Sequence, residues 1–556
     1  MTIPAQAPDL IIRAGNLHTM RPEGPLLTES GGSGTPTDTS ASDSSIAVTG
    51  GVITAIGTSA EVEAVADSDT EIIDLDGTIV PAFTDAHAHP VMSLSMARGA
   101  DLTSARDLDE DVQKLIDEAE RTDAAGGEWV LGWGLDPNHF PDGIISNEFL
   151  HEALGAERRV YVSMFDAHSA VASAEALRRA GIEGAMRWDS GSRIVADADG
   201  RPTGHILEFE AMSKVQEVLP AQPLEERADA LHALLGSMAA EGIGDVHVMD
   251  MNDPQIVELL DAAEKRAPLP VKMRISPWCT PWMNDEEFLE MQSLLDQRGE
   301  RWRVEGVKFF IDGTVEGGTA WLETPDTKGE NVVSAWGGID EYAARVRALD
   351  ENGVPTATHA IGERGIREVA ETLAALPENG VTHRIEHIES VPKTVLDLIG
   401  RAGIAASMQP THCTHYTRAD GSDEWSIRLG EVRAARAWCI RDAIDAGAVV
   451  ALGSDYPVAP YPVLPIMADA QLRRPVEDPS VAPVLPEQTI TAAEALAGYT
   501  TGPQSAIGAT GGFIAVGQPA SFAVLDVDPL TVDPQTLGSG RVLLTVSDGI
   551  ITHRLR

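Results

Sequence analysis

The chain has 556 residues, more than one hydrophobic core holds, so two or more structural units are expected. Its hydrophobic content of 43% and charged content of 23% are those of an ordinary globular enzyme. A net charge of -45 repels nucleic acid and anionic membrane, which leaves a small molecule as the expected partner, with room for a homodimer.

In chain order, the first residues carry neither a basic start nor an apolar stretch, so no secretory leader is expected. The runs 10–13, 45–48, 51–56 and 71–76 are apolar or alternating and are bounded by Gly, Asp and Ser, which predicts strands. Between them, residues 28–44 are rich in Ser, Gly and Thr and are expected to form a mobile surface loop. The last forty or so residues have the same strand-and-turn texture, at 520–526, 542–546 and 549–552. The two ends are therefore expected to build one small β-sandwich from residues 1–78 and 511–556.

The middle of the chain alternates short apolar strands with helical periods. A strand over about 79–86 is followed by strand-like runs at 243–249, 271–276, 304–311, 354–359, 382–387, 404–408 and 449–455. Helical spacing marks 225–240, 255–265, 339–351 and 365–375. Eight such strands predict an α/β fold, a TIM-like (β/α)8 barrel over 79–510. A doubly wound sheet is the rival, but it would carry a phosphate-binding glycine turn after its first strand, where this chain has histidines. Residues from about 100 to 240 are too many for a loop and include strand-like 129–133 and 159–164, so an inserted subdomain is expected on the active-site face.

Barrel chemistry is located at the C-terminal ends of the strands. Those ends carry His87 and His89, then Lys308, His359, His387 and Asp455. Two imidazoles at i and i+2 on an extended backbone point the same way, and neutral imidazole is a preferred ligand of zinc-like ions. Lys308 is one of only seven lysines and lies in a strand too apolar for a solvated ammonium. Burial lowers an amine's pKa, and a neutral amine takes up carbon dioxide to give a carbamate, an oxygen ligand able to bridge two ions. A buried ion pair between Lys308 and Asp312 is the structural alternative.

Several segments together resemble the amidohydrolase superfamily, within it the YtcJ-like branch that includes N-substituted formamide deformylases. They are Pro81–His89, Val307–Gly313, His359–Gly362, Arg384–His387, Ser407–Pro410, Gly453–Pro457 and Ile514–Asp526. One departure is Glu363, where the family often has Asp. The resemblance implies one or two zinc ions, with His87, His89 and Asp455 on one, His359 and His387 on the other, and a carboxylated Lys308 bridging them. It implies hydrolysis of an amide or N-substituted formamide C–N bond by a metal-bound hydroxide, with Asp455 moving the proton.

Substrate contacts are expected from His168, in the segment Asp166–Ser169, and from Asp312 and Trp133. Trp129, Asp136 and His139 also lie in the insert, and Trp278, Trp282 and Trp321 divide between pocket lining and packing. His412 and His415 are expected at the pocket rim. A decarboxylase or isomerase on the same scaffold, or a non-catalytic binding protein, remains the functional alternative. Three scattered cysteines with no Cys-x-x-Cys, and no apolar run of about 18 residues, point to a reducing cytoplasm.

Overall fold

A computed structural model describes residues 7–21, 43–140, 143–250 and 253–555. The loop expected over 28–44 lies almost wholly outside them. Two wholly parallel sheets form the centre. One runs in the order Trp302–Val304, Lys272–Ile275, Ile243–Val248, Phe83–Ala88. The other runs Val307–Phe310, Thr356–Ala360, Arg384–His387, Ala405–Met408, Val449–Leu452. Parallel strands need crossover connections, and helices supply most of them. The four helices expected from periodicity form at Leu224–Ala240, Ile256–Arg266, Asp340–Glu351 and Glu363–Ala374. Glu363–Ala374 shows why: Ile366, Val369, Ala370 and Leu373 share one buried face at i, i+3, i+4 and i+7. One apolar core joins strands and helices, from Phe83 through Leu231, Leu259 and Val307 to Val346 and Leu496. The architecture is TIM-barrel-like α/β.

Two seams link the parallel sheets, and a glycine sits at each. The run over 304–311, read from sequence as one strand, is two. Gly306, at φ 87°, turns the chain between Trp302–Val304 in the first sheet and Val307–Phe310 in the second. Across this seam Lys308 N donates to Pro277 O at 2.8 Å and Cys279 N donates to Lys308 O at 2.8 Å. At the other seam Asp455 N donates to His87 O at 2.7 Å. A Cβ on Gly453 would stand 2.6 Å from His87 N, so only glycine lets the last strand approach the first this closely.

The run over 79–86 also divides. Thr78–Pro81 pairs with Phe522–Leu525 in a sheet with Asn16–Leu17, Val542–Ser547 and Ile550–Arg554, whereas Phe83–Ala88 begins the central strands. The first strand of the series therefore starts at Phe83. A second terminal sheet holds Val52–Gly57, Ser44–Thr49, Leu10–Ala14 and Glu71–Asp74, and the two share a core of Ile12, Ile46, Ile73, Phe522 and Leu544. Residues 100–207 supply a seven-stranded sheet with apolar clusters that include Val130 and Val160 on the one hand and Ala170 and Ile206 on the other. Among the described residues no helix is long and apolar enough to cross a membrane.

Gly453→Ala is expected to lower stability by about 1–3 kcal/mol, because the added methyl forces the seam apart. A urea midpoint within error of the native protein would show that the close approach carries no weight.

Candidate metal centre

Each group of the centre is held by a strand end. His87 lies on the last turn of pleat in Phe83–Ala88, and His89 opens the helix Pro90–Met96 with its N–H on Tyr456 O at 2.7 Å. Adjacent residues on a strand face opposite ways, yet Glu386 and His387 both face the centre. Positive φ at His387 (74°) and Ile388 (52°) breaks the pleat there, and Asp455 (60°) is turned in the same way. Non-glycine residues in that region cost on the order of 1–3 kcal/mol each, so the surrounding structure must hold them.

The Asp455 carboxylate is the meeting point. Its Oδ1 is 3.4 Å from His87 Nε2 and 3.1 Å from His89 Nε2. Its Oδ2 is 3.8 Å from His387 Nδ1 and 3.6 Å from His412 Nε2. Despite these distances Asp455 Oδ1 and His412 Nε2 make no hydrogen bond, although both are buried. Buried polar atoms seldom lack partners, and an unpaired carboxylate oxygen and an unpaired imidazole nitrogen in one buried cluster fit a site for a cation. His87, His89 and Asp455 form one such group and His387, His412 and Asp455 a second. Burial, and next to it Lys308, hold His87 down at about 4, and burial holds His359 and His387 well below their ordinary value. All three are thus in the neutral, ligating form near pH 7. Burial would raise the Asp455 carboxyl, but His87 and His89 overcome it and keep the group below the usual carboxylate range.

A buried polar frame orients these ligands. His87 Nδ1 donates to Glu386 Oε2 at 2.6 Å, which leaves Nε2 free to face Asp455. Arg384 grips Glu386 (Nε to Oε1, 2.5 Å) and donates to Ala86 O. Burial would raise Glu386, but Arg384 and then His87 hold it well below its ordinary value, as an anion. Asp85 accepts from His87 N at 3.1 Å and from Ser454 N and Oγ at 3.0 and 2.6 Å, so one carboxylate fixes both strand ends. His387 Nδ1 is 2.9 Å from Gln409 Oε1.

Lys308 Nζ is 3.5 Å from His87 Nε2, and burial draws its pKa down to about 8. Asp312 is engaged elsewhere: its carboxylate takes the N–H groups of Trp321 and Gly362 at 2.8 Å and of Ile361 at 3.1 Å. His359 packs on His387, ring centroids 4.5 Å apart, with Nε2 3.3 Å from Gly313 O.

A cavity of about 710 Å³ opens over the cluster and has His168, Phe165, Phe209, Trp278, Phe310 and Tyr416 in its walls. His168 Nδ1 meets Glu208 Oε2 at 2.9 Å and its ring lies 5.1 Å from that of His359. Burial would lower His168, but Glu208 outweighs it and raises the imidazole above its ordinary value. Trp133 and Asp312, expected as substrate contacts, are not in this wall; Trp133 is a half-buried residue of the insert's sheet, and Asp312 is committed to backbone N–H groups. Trp278 lines the cavity, Trp282 lies outside it, and Trp321 stacks beneath Arg364. His139 pairs with Asp111, and Asp136 caps a short turn. His412, expected at the rim, stands inside the cluster, whereas His415 turns to Asp469 at 3.2 Å. Glu363 pairs with Arg433 and Arg436, away from every ligand.

Sequence reading missed Glu316 and Glu389, two carboxyls in the cavity wall that burial pushes above the ordinary range. It also gave no role to Glu386, Asp85 or Glu208. The alternation of Arg384 with Glu386 was a usable signal for one of them; Glu208, at φ 66° in an irregular turn, gave none.

A model described as the amidohydrolase family matches residues 71–553. The YtcJ protein of Bacillus subtilis (strain 168) is 28% identical over 495 residues, spanning 87% of this chain and 91% of that protein. The N-substituted formamide deformylase of Arthrobacter pascens is 24% identical over 539 residues, spanning 91% and 94%. Of solved structures, an uncharacterized metal-dependent hydrolase of Pyrococcus horikoshii OT3 superposes with a TM-score of 0.68 at 21% identity, over 94% of this chain and 99% of that one, a likeness of fold.

Glu386→Gln is expected to weaken zinc binding by about 10- to 100-fold, because the His87 tautomer loses its anionic partner. Competition with a chromogenic chelator measures this, and an unchanged affinity would remove Glu386 from the account.

Proposed function

The chain belongs to the amidohydrolase family, and from that premise we propose that it is a metal-dependent hydrolase cleaving the C–N bond of an amide or N-substituted formamide. The observation that carries the reading is the buried Asp455 carboxylate, set among four imidazole nitrogens at 3.1–3.8 Å with one oxygen unpaired. In this reading His87, His89 and Asp455 hold one divalent ion, zinc by the chemistry of the donor set, and His359 and His387 serve a second. His412 stands close enough to Asp455 to share in that second group.

Lys308 completes the donors. Its neutral amine adds carbon dioxide, forming one N–C bond and releasing one proton, and the resulting carbamate offers two oxygens. A pKa near 8 supports this, because a useful fraction of the amine is neutral at physiological pH.

A divalent ion bound here supplies Lewis acidity and lowers the pKa of water toward neutrality. The chain's own groups do the rest. Asp455 accepts the proton of the attacking water as the C–O bond forms and delivers it to nitrogen as the C–N bond breaks. His168, steadied by Glu208, donates a hydrogen bond to the carbonyl oxygen as charge collects on it. The aromatic wall of Phe165, Phe209 and Phe310 excludes bulk water and accepts an apolar substituent.

The same reading divides the chain into a β-sandwich built from both ends, through Pro81 and from about 511 onward, and a closed (β/α)8 barrel from Phe83 to about 510 with an insert that holds the seven-stranded sheet of residues 100–207. The shared core of the terminal sheets and the hydrogen bonds at both seams support it. A small-molecule substrate and a cytoplasmic setting belong to the proposal, supported by the net charge of -45 and by three buried free thiols.

The test is a screen of N-substituted formamides, amides, ureas and cyclic imides with added zinc, scored for amine release. Incorporation of heavy oxygen from solvent into the acid product is expected; release of carbon dioxide without it would establish a decarboxylase instead. Asp455→Asn is expected to lower kcat by about 100- to 10,000-fold while substrate affinity stays within a few fold. A variant turning over at near-native rate would remove Asp455 from proton transfer. Chelation is expected to abolish turnover and zinc to restore it.

A further inference from the structure

A second, larger cleft of about 1940 Å³ lies between the insert and the central strands. It adjoins the cavity over the metal cluster: Met92, Ala167, Phe209 and Trp278 line both. The apolar part of its wall comes from three directions, beside polar groups that include the buried Asp250. Leu131 and Tyr161 project from neighbouring strands of the insert's sheet, Met212 from the helix Phe209–Gln216, and Met96 from the helix Pro90–Met96. The Tyr161 hydroxyl oxygen accepts from Gln216 Nε2 at 3.3 Å. Charged groups, among them Arg98, Glu217 and Asp253, also border the cleft.

We propose that this cleft is the subsite for a long apolar substituent, an unbranched alkyl or arylalkyl group attached to the scissile C–N bond. The proposal rests on the reading of the central cavity as the place of C–N cleavage. A chain attached to a substrate whose carbonyl sits over Asp455 would enter this adjoining space by displacing the Phe209 and Trp278 side chains that both cavities share, and would lie between Met96 and Met212. Methionine side chains adapt to many shapes, so this wall selects by length and apolarity and not by a fixed outline. Residues of the insert thereby set specificity without touching the reacting atoms.

The test uses the full-length protein and n-alkylamines from propylamine to octylamine, the amine products of N-alkylformamide hydrolysis, titrated calorimetrically. Affinity is expected to rise by up to about fourfold per added methylene, the factor for burying one CH₂ group. Met212→Trp fills the cleft from its floor. Ser95→Trp adds bulk from an exposed position on the facing helix, so it leaves the core undisturbed. Both are expected to flatten the length dependence beyond butylamine in protein whose circular dichroism and melting temperature are native-like. A length-independent affinity in the native protein, or a gradient that survives Ser95→Trp, overturns the proposal. Amine release from N-methylformamide, too short to reach the cleft, reads the central cavity alone. Release without a length gradient rejects the cleft and keeps the hydrolase; a gradient with no hydrolysis of any formamide rejects the hydrolase and keeps an apolar amine site.

Discussion

One buried carboxylate sets the terms for the rest of this molecule. Asp455 has four imidazole nitrogens within 3.1–3.8 Å, and its Oδ1 has no hydrogen-bond partner. A carboxylate buried without partners is costly, because water can no longer solvate it. His87 and His387 cannot answer that cost as cations, since burial keeps both neutral, helped at His87 by Lys308 and at His387 by the neighbouring imidazoles. A divalent ion would resolve the conflict by using the anion and the neutral nitrogens together. Positive φ at His387 and Asp455 turns these side chains toward one another, where regular strands would turn them apart.

The frame behind the ligands is as polar as the ligands themselves. The chain of contacts from Arg384 through Glu386 to His87 is fully buried and fully paired, which is what low dielectric requires of charged groups. Asp85 ties the ends of the first and last central strands to one another through His87 and Ser454. Ligand placement and fold closure are therefore the same event. Gly453 belongs to both, since its missing side chain lets the backbones meet.

The sequence made the six strand-end groups legible because their chemistry is rare in apolar strands and recurs in phase with the helices. Lys308 stood out for the same reason, and the structure places it beside His87 and not on Asp312. Periodicity also located the four helices to within a residue or two. It failed where a strand changes sheets without a change in composition. The break at Ala82 lies inside an apolar run and only its distant pairing partners reveal it, whereas at Gly306 the Glu305–Gly306 pair was a usable signal. The insert was legible as a body but not in its contacts: Trp133 is absent from the cavity wall, while Phe209 and Tyr416, ordinary in sequence, line it. His412 was assigned to the rim because local spacing says nothing of how far the helix Pro410–Tyr416 leans over the centre.

The central claim is that a divalent ion sits where Asp455 meets the imidazoles. Anomalous diffraction at the zinc edge, from crystals of the protein supplied with zinc, tests it most directly. The account predicts a peak within bonding distance of His87 Nε2, His89 Nε2 and an Asp455 carboxylate oxygen. No peak there, or zinc found only at the peripheral group of His415, Asp469 and Glu477, would contradict it.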